Sequence, residues 1–245
     1  MFNAAEKLAV QSWCFRAFKP LDQLIAQVKA IGLKRIELCG VHADFNNEAT
    51  FDNVLATFKN AGVQIASIGV QRFAAAPVEE SWFKFAKAAG ATMISTTFAL
   101  DKMPDCIPHA IKLADKYDID LGIHNHGGYD WLGNETMIAH ILKHNSPRLG
   151  LCIDSAWCLD AGHDPVIWAE KFADRLYGTH IKDFIFHRNG KGEDVVVGEG
   201  NLNLANYIKL IAANPKCRAI TLEYEGDENN PGPKLKECVA KIAAC

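Results

Sequence analysis

Short apolar runs alternate with segments of helical period along this chain, and the alternation recurs eight times. The runs predict strands at Leu8 to Gln11, Arg35 to Leu38, Gln64 to Val70, Thr92 to Thr96, Leu121 to Asn125, Leu149 to Ile153, Leu176 to Ile181 and Ala219 to Glu223. Most lack the polar alternation of a strand with one wet face, as expected of parallel strands covered on both sides. Between them, Leu21, Leu24, Ile25 and Val28 recur at helical spacing behind Pro20, and Gly32 ends that helix. Val54, Leu55 and Phe58 lead to Gly62, and Trp82, Phe83 and Ala86 lead to Gly90. Ile107, Ile111 and Ala114 follow Pro104, and Ile138, Ile141 and Leu142 follow Asn134. Val166 to Phe172 comes next, then Leu204, Tyr207, Ile208 and Ile211, and last Leu235, Val239 and Ile242 after Pro233.

The repeat averages roughly thirty residues, the size of one βα unit with its return. Eight such units predict an α/β protein, a (β/α)8 TIM barrel forming a single domain over residues 1–245, in preference to an open doubly wound sheet. No GxGxxG follows the first strand, which argues against dinucleotide binding.

With 245 residues, 49% of them hydrophobic, the chain can bury one full core. The net charge is −3 and Lys and Arg form no long run, so the expected partner is a small molecule and not a nucleic acid. Glu6 and Lys7 precede any run of signal-peptide length, and no apolar stretch reaches membrane-spanning length. The eight cysteines form no CxxC pair and suit reduced, mostly buried thiols. A cytoplasmic enzyme without a membrane partner is the expectation, and a homo-oligomer is compatible with it.

The chemistry centres on Leu121 to Gly128, LGIHNHGG. In a strand, residues i and i+2 share a face, so His124 and His126 can point the same way while Asn125 points to the other. The glycines end the strand and put the pair at its mouth. Three more strand ends carry ligand types: Asp154 in LGLCIDSAW, His180 in YGTHIKDF and Glu223 in ITLEYEG. Two carboxylates and two imidazoles converging on one barrel mouth are compatible when a cation lies between them. The competing structural reading has Asp154 capping a helix and His180 packing against Asp183. Oxygen and imidazole donors suit one divalent Mn, Co, Zn or Fe ion, with Mg less favoured by two histidines.

Loops after strands are longer and richer in polar and aromatic residues than loops after helices, and in a barrel they form the active-site face. They carry Trp13 and Phe15, His42 to Asn47, Gln71 to Phe73, Tyr129 to Trp131, Trp157, Lys182 to Glu199, and Tyr224 to Asn230. Indole faces stack on the C–H side of a sugar ring, which points to a carbohydrate substrate. No phosphate cradle follows the seventh or eighth strand, favouring an unphosphorylated one.

Taken in order, IEL at Glu37, HNH at His124 to His126, ID at Asp154, HIKD at His180 to Asp183, GEG at Gly198 to Gly200 and LEYE at Glu223 resemble the xylose-isomerase-like TIM barrels. That superfamily groups sugar isomerases, ketose 3-epimerases, inosose dehydratases and endonuclease IV-like repair enzymes. The resemblance covers essentially the whole chain and implies one divalent metal held by His124, Asp154, His180 and Glu223. Two departures stand out. Position 124, commonly Glu in the ketose epimerases, is His, and Trp157 stands where many relatives continue Asp-x-x-His, so that His163 would have to replace the usual substrate-binding histidine.

The expected function is isomerisation or epimerisation of a keto sugar or related polyol by proton transfer beside a polarised carbonyl. Glu223, His126 and Lys182 are the expected catalytic groups, with Glu37, Glu199 and Glu225 as alternative bases or orienting groups. Trp13, Glu37, Trp157 and Glu199 are the expected substrate contacts. The nearest rival is a lyase, dehydrating a keto sugar or inosose or cleaving a 3-keto-glycoside by β-elimination. Phosphodiester hydrolysis would want more metals and a basic track, and a non-catalytic sugar-binding barrel is the fourth reading.

Overall fold

Eight parallel strands close into a barrel in the computed structural model, which describes residues 2–245. They are β1 (Leu8–Gln11), β2 (Arg35–Leu38), β3 (Gln64–Phe73), β4 (Met93–Phe98), β5 (Asp120–His124), β6 (Leu149–Asp154), β7 (Leu176–Ile181) and, after an inserted ribbon of β8 (Asp183–Phe186) and β9 (Gly192–Val195), β10 (Ala219–Leu222). Each barrel strand pairs with its chain neighbour, and β1 closes the ring against β10. The strands fall where the apolar runs place them. β3 runs three residues past the expected Val70, and β4 reaches Phe98 instead of Thr96; the polar Gln71, Arg72 and Thr97 in these extensions pair in register, Gln71 with Thr96 and Arg72 with Thr97.

The helices are α1 (Ala4–Lys7), α2 (Leu21–Ala30), α3 (Phe51–Ala61), α4 (Glu79–Ala89), α5 (Cys106–Tyr117), α6 (Glu135–His144), α7 (Ser155–Asp160), α8 (Pro165–Lys171), α9 (Leu204–Ala213) and α10 (Gly232–Ala244). Their starts and stops follow local chemistry. Asn134 and Asp164 accept from Met137 N–H and Val166 N–H at the heads of α6 and α8, and Gly62 and Gly90 take left-handed φ of 69° and 74° after α3 and α4. The apolar faces bury as their spacing requires: Leu24, Val28, Phe58, Phe83, Ile138 and Ile211 lie in one core cluster with the strand side chains.

Met93 fills the barrel axis. A Cβ at Gly122 or Gly178 would come within 2.9 Å of its Sδ, so these two strand positions leave room for the thioether. The eight cysteines are free, seven buried and Cys245 exposed. Among the described residues no helix is long and apolar enough to cross a membrane.

The segment Lys182 to Glu199, read from sequence as loop, contains the antiparallel β8–β9 ribbon. Asp183 anchors it: its carboxylate accepts from the N–H groups of Gly198 (2.9 Å), Gly200 (3.0 Å) and Leu202 (2.9 Å). The HIKD and GEG segments are therefore two halves of one structural clasp.

Candidate metal centre and substrate cavity

The four strand-end residues meet. One ligand atom from each of His124, Asp154, His180 and Glu223 lies within 4.8 Å of the others, and all four residues are buried. His124 closes β5, Asp154 closes β6, His180 is the penultimate residue of β7 opposite Asp154, and Glu223 follows β10. His124 Nε2 is 3.0 Å from His180 Nδ1 and 3.5 Å from Asp154 Oδ2, and His180 Nδ1 is 2.7 Å from Glu223 Oε2. Asp154 does cap a helix, its Oδ1 accepting from Trp157 N–H at 2.9 Å, but its Oδ2 is buried without a partner. His180 does not pack against Asp183, whose carboxylate is spent on the clasp.

A buried carboxylate oxygen without a donor, facing two imidazoles and a second carboxylate, is the environment a divalent cation satisfies. Neighbouring charges shift both Glu223 and His180. Burial pushes the Glu223 carboxyl up, yet Lys182, His180 and His124 hold it well below the usual carboxylate range. Burial also opposes charge on His180, but Glu37, Cys152 and Glu223 raise its pKa well above that of free imidazole.

Glu37 stands behind His180 and not against the cavity. Its Oε1 lies 2.8 Å from His180 Nε2 and accepts from Gln11 Nε2 (2.8 Å) and Ser95 Oγ (2.7 Å), while Oε2 accepts from Ser67 Oγ (2.6 Å). Fully buried, with four hydrogen-bond partners and outside the cavity lining, Glu37 stands where it can orient His180, whereas the sequence suggests a substrate contact. Glu199 is exposed and pairs with Lys241 at 3.2 Å on the clasp, so it does not join the site either. His163 pairs with Glu135 at 3.8 Å and leans on Trp168, outside the cavity lining.

A cavity of about 500 Å³ opens above the cluster, lined by His124, His126, Glu223 and Glu225 with Trp13 and Trp157 among its walls. The HNH segment works as its alternation implies. His124 and His126 stand with ring centroids 4.9 Å apart, and Asn125 turns away to stitch β5 to β6, donating to Asp154 O (3.0 Å) and accepting from Asp154 N–H (2.9 Å).

Lys182 is buried behind this wall. Its Nζ contacts Glu225, lies 3.8 Å from Asp194, and sits 5.3 Å and 5.4 Å from the ring centroids of Trp157 and Phe184. Burial disfavours its charge, but Glu223, Asp154, Asp194 and Glu225 keep it cationic. The second Glu225 oxygen accepts from Trp13 Nε1 at 3.1 Å, so this carboxylate ties the loop after β1 to Lys182. Asp194, which sequence reasoning missed, comes from β9. The signal was present: Asn189-Gly190 between FIF and VVV is a hairpin pattern.

A closed (β/α)8 barrel with a buried His–Asp–His–Glu donor set at the carboxyl ends of its strands defines the class. The chain belongs to the xylose isomerase-like TIM barrel family, whose model matches residues 25–245. It is 34% identical over 74 residues to the 3-oxo-isoapionate decarboxylase of Pectobacterium atrosepticum, a match spanning 30% of this chain and 26% of that relative. Its fold is similar to that of the IOLI protein with a binding zinc atom (TM-score 0.76, 13% identity, 97% of this chain and 96% of the other). It is also similar to 3-keto-D-glucoside 4-epimerase YcjR from E. coli (TM-score 0.74, 14% identity, 98% and 99%).

Proposed function

We propose that this chain is a metal-dependent enzyme that moves a proton beside the carbonyl of a keto sugar or related polyol, as an isomerase or epimerase. The observation that carries the reading is the convergence of four buried ligand atoms, within 4.8 Å of one another, directly under a cavity with indole walls. His124, Asp154, His180 and Glu223 would hold one divalent ion, of the Mn, Co, Zn or Mg kind. Such an ion polarises a carbonyl oxygen and acidifies the neighbouring C–H.

The proton goes to His126. Among the described cavity-lining groups that titrate, Glu223 and His124 belong to the donor cluster, Glu225 is held by Lys182 and Trp13, and burial pushes the Cys39 thiol up beside Ser12, whereas the His126 ring has no hydrogen-bond partner. It can therefore meet a substrate C–H without first breaking a protein contact. Lys182, engaged by Glu225 behind the wall, holds that carboxylate in place, and Trp13 and Trp157 flank the ring. A small sugar fits the volume, and the cavity has no basic track for a polynucleotide.

One observation favours a lyase as the second reading. Inversion at carbon is served by bases on both substrate faces, and His126 is the one uncommitted base among the described lining residues. A single base suffices for β-elimination, and the partial likeness to a decarboxylase leans the same way.

The test is incubation of metal-loaded protein in deuterated water with unsubstituted keto sugars and 3-keto-glycosides. Deuterium in the recovered sugar or its epimer supports the first reading, and loss of water or of the aglycone supports the second. Neither exchange nor consumption across the panel would exclude both.

A further inference from the structure

Anionic substrates are recognised by free cations or converging N–H donors. Among the described residues lining this cavity there is no Lys or Arg side chain. The ammonium nearest to it, Lys182, is engaged by Glu225 and faced by Asp194 at 3.8 Å. Arg16, at the rim over Trp13, is engaged as well, donating to Glu225 O at 2.9 Å and lying 3.4 Å from Glu228.

The acids, in contrast, face inward. Glu223 and Glu225 both line the cavity, and a divalent ion is balanced by Asp154 and Glu223 alone. Glu225 then offsets Lys182, and Glu37 is engaged by His180, so an incoming anion meets no uncommitted cation. Carboxylate lone pairs still accept from hydroxyl groups, and indole faces still stack on C–H surfaces.

We propose that the cavity selects an uncharged sugar over phosphorylated or carboxylated ones, and that Glu225 enforces the choice by occupying Lys182; this rests on the keto-sugar reading above. Replacing Glu225 by Gln keeps the shape and the acceptor for Trp13 Nε1 while releasing the ammonium. The specificity of the site is thus set by one residue that is neither in the donor cluster nor the proton acceptor assigned above.

Two measurements on the zinc-loaded protein test it. Fluorescence of Trp13 and Trp157, isolated by difference from Trp13→Phe and Trp157→Phe variants, is quenched with iodide, caesium and acrylamide. The expected result is quenching by iodide at least severalfold weaker than by caesium, with Glu225→Gln closing the gap. Calorimetry then compares D-fructose with D-fructose 6-phosphate, which should bind wild type at least tenfold more weakly and gain in Glu225→Gln. Iodide quenching as strong as caesium, phosphate-ester binding equal to or tighter than that of the parent sugar, or no response to Glu225→Gln would overturn the proposal. Both readouts report potential and binding, so their failure leaves proton transfer standing, and absent turnover leaves them interpretable.

Discussion

Glu37 and His180, 143 residues apart in the sequence, meet at 2.8 Å with no exposure to solvent. The carboxylate fixes which imidazole nitrogen carries the proton and so turns Nδ1 toward His124 and Glu223. Glu37→Gln should lower zinc affinity by about 10–100-fold with the fold intact. Competition against a chromophoric chelator measures it, and an unchanged affinity would remove Glu37 from the centre.

Within the cluster, ligands and base separate by what they lose. Asp154→Ala and Glu223→Ala should abolish stoichiometric metal and its thermal stabilisation, whereas His126→Ala should retain both while losing solvent exchange at the substrate carbon. Elemental analysis and thermal shift decide it, and equal metal loss in all three variants would contradict the assignment.

Position 124 reports the reaction type. His124→Glu keeps a ligand but places three carboxylates around one divalent ion, weakening its pull on a substrate oxygen. Metal content should persist while turnover of the native keto sugar drops, on the order of tenfold or more. Undiminished epimerisation with full metal would instead return the chain to a two-glutamate scheme.

Asp194 gives the site a pH signature. Burial pushes its carboxyl up to about 7, with Lys182 opposing the shift. An acid raised above its unfolded value near 4 contributes stability that is present below about pH 4 and is lost as pH climbs through about 7. Asp194→Asn should therefore gain on wild type across that window, on the order of a few kcal/mol. Urea denaturation at intervals from pH 4 to 8 follows the gain, and a constant difference would show that Asp194 does not carry it.

The barrel was legible because each strand is buried on both faces and writes itself as an apolar run. Leu8–Gln11, Arg35–Leu38 and Leu176–Ile181 coincide with their expected limits, while β3 and β4 end later because polar Gln71, Arg72 and Thr97 interrupt the apolar runs yet pair by register up to Phe73 and Phe98. The donor cluster was legible for a related reason: a charged or imidazole side chain closing such a run has few alternatives to a shared cation. The contact of Glu37 with His180 was not legible, because sequence does not reveal which polar strand residues are buried against one another. The β8–β9 ribbon was missed because its Gly, Glu and Asp positions hide the alternation of an exposed hairpin.

The two oxygens of Asp154 are committed to different tasks, one holding the first turn of α7 and the other facing the cluster. Exchanging that residue for another ligand type would unseat the helix that carries Trp157 into the cavity, so this corner of the centre is closed to chemical drift. His124 is under no such double duty: its Nδ1 has no partner and its ring caps nothing. A lineage of such barrels can therefore change its metal's ligand field at position 124 one substitution at a time, and new reactions have an open route through β5 that β6 denies them.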